Sequence, residues 1–224
     1  MSAVGEARLR DELCRIGRSL HARGYVHGTT GNLSARLGDG FLITATDACL
    51  GELEPVALVK VDGRGVAAAG AGRPSKTLAL HRRIYAAAAE AGCVVHTHSR
   101  ALVELSLGSP AGEDRADFLP PITPYFVMKV GHVPLLAYAR PGDPAVADRV
   151  AAAIAEAERR GVPIRAIMLS RLGPNVWAET PSAAMARLEE LEETARLWLA
   201  AEPKPAPLSG QQIEELRRHF GARW

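Results

Sequence analysis

The chain of 224 residues is long enough to bury a hydrophobic core, and 47% hydrophobic with 23% charged residues is an ordinary soluble globular composition. The net charge of +2, from 27 basic and 25 acidic residues, gives no electrostatic footprint for nucleic acid or an anionic membrane. Three scattered cysteines do not make a disulfide framework or a zinc knuckle, and no stretch approaches the ~20 apolar residues of a membrane span. We therefore expect a cytoplasmic protein with reduced thiols and a small-molecule substrate.

The first half of the chain predicts a helix followed by short strands. Apolar residues recur at spacings of three and four between Leu9 and Leu20, which is typical of an amphipathic helix over residues 5–22. A short β-branched run at 93–98 predicts a strand, and Ser99 is expected to cap the helix after it. The other elements predicted here are a polar turn at 28–32, strands at 41–46 and 56–61, a tight turn at 62–63 and a helix that opens at 74–75.

The second half adds further strands and helices. Asp143 and Pro144 suit the first turn of a helix, and Gly173-Pro174 separates two strand-like runs in a hairpin arrangement. The other predicted elements are a loop at 108–120, strands at 133–138, 166–170 and 175–179, a helix at 181–200, a Pro-rich joint at 203–208 and a last helix at 211–220. This mixture indicates a single three-layer α/β/α domain over residues 1–224.

The sharpest chemical signal is the pair His96 and His98. Residues two apart on a strand project from the same face, so both imidazoles can reach one ion. Two histidines can equally end a strand with backbone or water as their partners, and the spacing alone does not decide between the two. A catalytic zinc-type site also needs a third protein ligand and an open position, which this spacing does not supply.

A second signal is a group of five residues, here named the anion cradle. It combines the backbone amides of Gly31 and Asn32, the hydroxyls of Thr46 and Ser75, and the positive charge of Lys76. Each piece alone is more often an ordinary turn or cap. Their combination favours the binding of a phosphate or a carboxylate.

Several segments resemble, in their order, the class II aldolase/adducin family. They are residues 31–36, 42–46, 74–76 with His81, and 94–99, and the likeness extends to Gly173-Pro174 and the closing helix. The resemblance thus covers nearly the whole chain. Within the family, segments 122–129, 138–143 and 190–195 resemble the branch of 3-oxo-tetronate 4-phosphate decarboxylases.

The resemblance implies a metal, a phosphate site and a homo-oligomer. His96 and His98 match two metal-binding histidines of the family, with zinc as the first expectation and manganese or iron as alternatives. The anion cradle falls on or next to the positions that hold substrate phosphate. Tyr125 resembles an aromatic hydroxyl contributed across a subunit interface, with Phe126 as the alternative. The family's usual assembly is a cyclic tetramer with active sites between subunits.

Three positions depart from the family pattern. Thr77 stands where the family has its acid/base glutamate, and Leu172 stands where it has its third metal histidine. Asp47 follows Thr46 where glycine is usual, and its negative charge would repel a phosphate. Leucine cannot bind a metal, and threonine cannot take up a proton at neutral pH.

Two other histidines are candidates for the missing ligand. His132, just before a predicted strand, is the first, and His27, just before the Gly-rich turn, is the second. A site completed by water and substrate, or no metal at all, are the remaining alternatives.

Three functions follow from these residues. The first is a metal-dependent carbon–carbon lyase, decarboxylase-like or aldolase-like, that acts through a metal-stabilised enediolate on a small oxygenated acid or sugar derivative, phosphorylated or not. The second is a repurposed enzyme on a non-phosphorylated substrate, and the third is a non-catalytic oligomeric scaffold. Thr77 weakens aldol chemistry more than decarboxylation, because only aldol cleavage needs a base to start. Thr77 and Tyr125, a candidate proton donor, are therefore the catalytic positions to examine.

Overall fold

The computed structural model describes residues 3–108 and 112–224 of the chain. Residues 109–111 of the predicted loop lie outside this part. The helices are α1 (Ala3–Ala22), α2 (Leu78–Ala87), α3 (Arg100–Leu107), α4 (Pro124–Lys129), α5 (Pro144–Arg159), α6 (Pro181–Ala200) and α7 (Gly210–Phe220). The strands are β1 (Asn32–Leu37), β2 (Gly40–Ile43), β3 (Val59–Val61), β4 (Cys93–His96), β5 (Leu135–Leu136), β6 (Ala166–Leu169) and β7 (Gly173–Ala178).

Within the described residues the strands form one sheet in the order β3-β2-β1-β4-β7-β6-β5. Every neighbouring pair is antiparallel except β5 and β6, which are parallel. The strand that ends in His96, β4, therefore lies in the middle of the sheet between β1 and β7.

Alternate side chains of the central strands pack into two separate cores. Val95 and Val176 face the core that includes residues of α1, α3 and α6. Val94 and Trp177 face the opposite core, which is covered by α2 and α5. Helices on both faces of one sheet make three layers, so the predicted α/β/α fold class is confirmed.

The long helices and the β6–β7 hairpin were well predicted, whereas several shorter elements differ. The predicted strand at 133–138 is limited to Leu135–Leu136, and the run at 56–61 begins with a 3-10 turn, Pro55–Ala57. Strand β1 was not predicted, because its polar residues Ser34 and Arg36 face helix α2 rather than solvent. Helix α2 begins at Leu78, three residues later than expected. No described helix is long and apolar enough to cross a membrane.

Candidate active site at the end of strand β4

His96, the last residue of β4, is 4% exposed and held in one orientation. Its Nδ1 lies 2.9 Å from the carbonyl oxygen of Pro174 on β7. A ring nitrogen that meets a carbonyl oxygen must donate, so the proton is on Nδ1 and the lone pair is on Nε2. Burial, reinforced by the neighbouring His98, lowers the pKa of His96 to about 4. The ring is therefore neutral at pH 7, the form that binds metals.

His98 follows the end of the strand and lies beside His96. The two ring centroids are 5.2 Å apart and the ring planes are inclined at 70°. Two imidazoles bound to one tetrahedral ion at ~2.0–2.1 Å would have centroids roughly 5 Å apart. Burial lowers the pKa of His98 too, with His27 adding to the effect. The centroid spacing thus matches that of two ligands of one divalent ion, although His96 and His98 line different cavities.

The position that the resemblance assigns to a third metal ligand is apolar in this chain. Leu172 packs against the core under α2 and α5. It also lines a cavity, here named the His96 cavity, whose other lining residues include Lys76, Thr77, His96, Arg140 and Ser170. Across residues 3–108 and 112–224, no group of three or more His, Cys, Asp or Glu side chains is arranged to hold a metal ion. The fit to a metal therefore rests on two histidines.

His132 lies in another part of the molecule. It comes shortly before β5, which is three strands from β4 in the sheet. Neighbouring strands are ~4.7–4.9 Å apart, which separates β5 from β4 by roughly 14 Å. The His132 Nδ1 is 2.6 Å from Oδ1 of Asp117, and its ring stacks on Trp224 at 4.2 Å. The expectation that His132 completes the metal site is therefore wrong within one chain.

His27 is closer, but it stands apart from a shared ion position. Its ring centroid is 6.3 Å from that of His98, in an edge-on arrangement, and the side chain is exposed. Both rings line a separate cavity together with Arg100 and the buried Glu192. His27 does not join His96 and His98 in a three-ligand group.

Thr77 is the N-cap residue of α2 and lines the His96 cavity. Its hydroxyl donates to Oδ1 of Asn32 at 2.8 Å and lies 2.9 Å from the hydroxyl of Ser75. Asn32 is in turn the residue of β1 that pairs with His96. Hydrogen bonds therefore join Asn32 and Ser75 of the anion cradle to Thr77, which the resemblance aligns with a catalytic glutamate.

The rest of the anion cradle is only partly assembled. A side chain at Gly31 would come within 2.5 Å of Val26 and 3.0 Å of the His96 carbonyl, so this position requires glycine. Asp47 and Lys76 form an exposed ion pair at 3.6 Å, which partly neutralises the cation expected to attract an anion.

The two alternatives for the aromatic residue on α4 are clearly distinguished. Phe126 is 0% exposed and packs against Trp224, whereas Tyr125 is 62% exposed. Neither residue is among those that line the His96 cavity of the same chain. Tyr125 is thus the accessible hydroxyl, and its contribution to a neighbouring subunit stays a prediction.

Sequence reasoning missed three polar residues near His96. Arg140 lines the cavity, and the likeness of segment 138–143 to one family branch was its available signal. Ser170 lines it too, with a buried hydroxyl that has no hydrogen-bond partner within the described residues. Asn175 pairs directly with His96 across β4 and β7, and its carboxamide is likewise buried and unpaired in that part of the chain. Strand register brings Asn175 to the site, and a local pattern does not reveal register.

Comparison with known proteins agrees with this geometry. The family model described as the class II aldolase and adducin N-terminal domain matches residues 11–199. The 3-oxo-tetronate 4-phosphate decarboxylase of Cupriavidus necator is 53% identical over 224 residues, which cover 98% of this chain and 99% of the relative. The protein of the same name from Escherichia coli K12 is 39% identical over 214 residues, 95% of this chain and 96% of the relative.

Solved structures show the same relationship. YgbL from Klebsiella pneumoniae superposes with a TM-score of 0.82 at 39% identity and covers 95% of this chain and 99% of its own. An L-fuculose 1-phosphate aldolase superposes with a TM-score of 0.79 at 22% identity, covering 99% and 98%, which supports the fold alone. The full-length relatives are lyases by name, and the chain belongs to the class II aldolase/adducin family.

Proposed function

We propose that the chain is a metal-dependent decarboxylase of a small 3-oxo acid that carries a phosphate group. The observation that carries this proposal is Thr77, which holds the position of the family's base and is hydrogen-bonded to Asn32 and Ser75. A β-keto acid loses carbon dioxide once an electron sink is present, whereas aldol cleavage also needs a base to take up a hydroxyl proton. The site therefore suits decarboxylation better.

His96 and His98 would hold the metal ion, with zinc expected first and manganese or iron next. When bound, such an ion supplies a Lewis acid that polarises a substrate carbonyl. The protein prepares for this with the Pro174 carbonyl, which keeps the proton on Nδ1 of His96 and presents Nε2. Burial keeps the same ring neutral, because it lowers the His96 pKa to about 4.

Two cations at the His96 cavity support a substrate with two anionic groups. The Lys76 Nζ is 3.6 Å from Oδ1 of Asp47, and the Arg140 Nε is 3.6 Å from Oδ2 of Asp143. Both distances exceed a normal hydrogen bond, and exposed pairs of this kind contribute only about 0–1 kcal/mol. Each cation can therefore exchange its partner for a substrate carboxylate or phosphate at little free-energy cost.

The exposed hydroxyl of Tyr125 supports a homo-oligomer, which we expect to be a tetramer. In this assembly Tyr125 of one subunit would donate a proton to the product carbon in the active site of another. Tyr125 is 62% exposed within one chain, and so is accessible to a neighbouring subunit.

The direct test is the release of carbon dioxide from 3-oxo-tetronate 4-phosphate by the purified protein, with its metal content measured. Chelation should abolish release, and His96→Ala should lower it by at least ~10²-fold because the electron sink is lost. His219→Ala, an exposed histidine on α7, is the matched control and should leave the rate unchanged. Release that survives both chelation and His96→Ala would refute the proposal, as would no release by metal-loaded protein.

A second candidate function is the same reaction on a non-phosphorylated acid, favoured by Asp47. This residue has a left-handed backbone, with φ of 59°, and its carboxylate faces Lys76. If this alternative is right, the wild type will prefer the substrate without phosphate, and Asp47→Gly will shift the preference towards the phosphorylated one. The ratio of the two kcat/KM values in both proteins decides between the candidates.

A further inference from the structure

The side chain of Asn175 is completely buried, and both of its polar atoms are unpaired. The residue is 0% exposed, and neither Oδ1 nor Nδ2 has a hydrogen-bond partner within the described residues. Leaving a buried amide unpaired costs about 1–3 kcal/mol. Its neighbours on the same sheet face, Ile167 and Trp177, belong to the hydrophobic core. Packing alone favours an apolar residue here, so the carboxamide points to an interaction with something outside the chain.

The sheet places this carboxamide beside the metal-binding histidine. Asn175 and His96 are direct partners in the β4–β7 ladder. Opposite residues in an antiparallel pair project to the same face, with Cβ atoms ≈ 4.5–5.5 Å apart. The imidazole of His96 also leans towards β7, since its Nδ1 is bonded to the carbonyl of Pro174, the residue just before Asn175.

His96 and His98 leave one protein-ligand position of the proposed ion unfilled. Asn175 is three residues beyond Leu172, which stands where the histidine was expected. We propose that Oδ1 of Asn175 is the third protein ligand of the ion held by His96 and His98, in place of the histidine lost at Leu172. This inference rests on the proposed function only in requiring a metal at the two histidines. It accounts both for the missing ligand and for the unpaired carboxamide.

The ligand set has a consequence for metal preference. Two imidazole nitrogens and one neutral carbonyl oxygen form a harder site than three imidazoles. Carbonyl oxygen suits manganese, whereas imidazole suits zinc and iron. The preference for zinc over manganese should therefore be weaker here than in a site with three histidines. The neutral ligands also leave the full charge of the ion available to an anionic substrate.

The test is calorimetric titration of the metal-free full chain with Mn²⁺ and with Zn²⁺. Asn175→Val should raise the Kd for both ions by at least ~10-fold, the usual effect of losing a group that supports a metal. The metal-free variant should be as stable as the wild type or more so, because two unpaired polar atoms are removed. Asn175→Asp keeps the shape, adds a negative charge and should bind both ions more tightly.

Trp177→Phe is the matched control. It removes another buried unpaired atom, Nε1, from the same face two residues away, and it should leave both Kd values unchanged. Wild-type affinity in Asn175→Val, or no tightening in Asn175→Asp, overturns the ligand assignment and leaves the proposed function standing. A wild type that binds neither ion overturns both.

Discussion

Replacing Thr77 with glutamate restores the acid/base group of the family to the His96 cavity. The change removes the hydrogen bond that the Thr77 hydroxyl donates to Asn32 and the one that it accepts from the Ser75 hydroxyl, each of which contributes about 1 kcal/mol. A carboxylate at the start of α2 stabilises the folded protein by roughly 0.3–1 kcal/mol, because it interacts favourably with the helix dipole. We expect a net loss of about 1–2 kcal/mol, which lowers Tm by roughly 2–4 °C per kcal/mol in a chain of this size.

The effect on chemistry should be much larger than the effect on stability. A positioned general base contributes about 10²–10⁴-fold to a proton transfer. Aldol cleavage of a ketose 1-phosphate should thus be undetectable in the wild type and measurable in Thr77→Glu, while carbon dioxide release changes far less. The assay follows the release of the aldehyde product alongside carbon dioxide, with metal content measured in each protein.

Thr77→Gln is the matched control, because it has the same length as glutamate and breaks the same hydrogen bonds but cannot accept a proton. It should stay inactive in aldol cleavage. Efficient cleavage by the wild type, or an equal gain in Thr77→Gln, would refute the assignment of position 77 as the site of the missing base.

Three further predictions concern stability. In Gly173→Ala the new Cβ would lie 1.9 Å from the Thr97 carbonyl oxygen, at a residue whose φ is 136°. Urea unfolding should therefore show a free energy of unfolding lower by at least ~3 kcal/mol. The uncrowded control Gly161→Ala should lose about 1–2 kcal/mol. Burial, with His96 adding to it, lowers the pKa of His81 from 6.5 to about 3, so the unfolded chain binds the proton first and stability falls as pH drops below 6.5. The loss at pH 5 is about 2 kcal/mol for this residue, and His81→Gln should flatten the stability profile of metal-free protein by that amount; equal slopes would contradict it. Glu192→Leu should lose roughly 2–4 kcal/mol in urea unfolding, because the carboxylate accepts from the amides of Ala101 and Leu102, and Glu192→Gln should lose less.

Local signals predicted the long elements and the strand that ends in His96. Helix α6 was placed over the correct residues because Thr180-Pro181 begins it, with the threonine side chain accepting from Ala183. The strand that carries His96 was also recognisable from its β-branched run, although it ends at His96, two residues earlier than predicted. Both results depend on residues within a few positions of each other.

Features that depend on distant residues could not be predicted. Ser99 was expected to cap α3, but its hydroxyl bonds to Thr97 and the helix amides are capped by Glu192 from α6, about ninety residues away. His132 was assigned to the site because sheet order, which puts β5 at an edge, is not written in any local pattern. Asn175 was missed for the same reason, since only the β4–β7 register brings it to His96.

The attachment of His96 to the centre of the sheet means that folding does not depend on the proposed metal ion. In small zinc domains the ion assembles its own ligands, and the chain is unfolded without it. Here β4 is hydrogen-bonded to β1 and β7 along its length, and the Pro174 carbonyl orients the imidazole before any ion arrives. If the proposed ion binds at His96, its removal should leave the native circular dichroism unchanged, so folding assays alone would not detect metal-free protein.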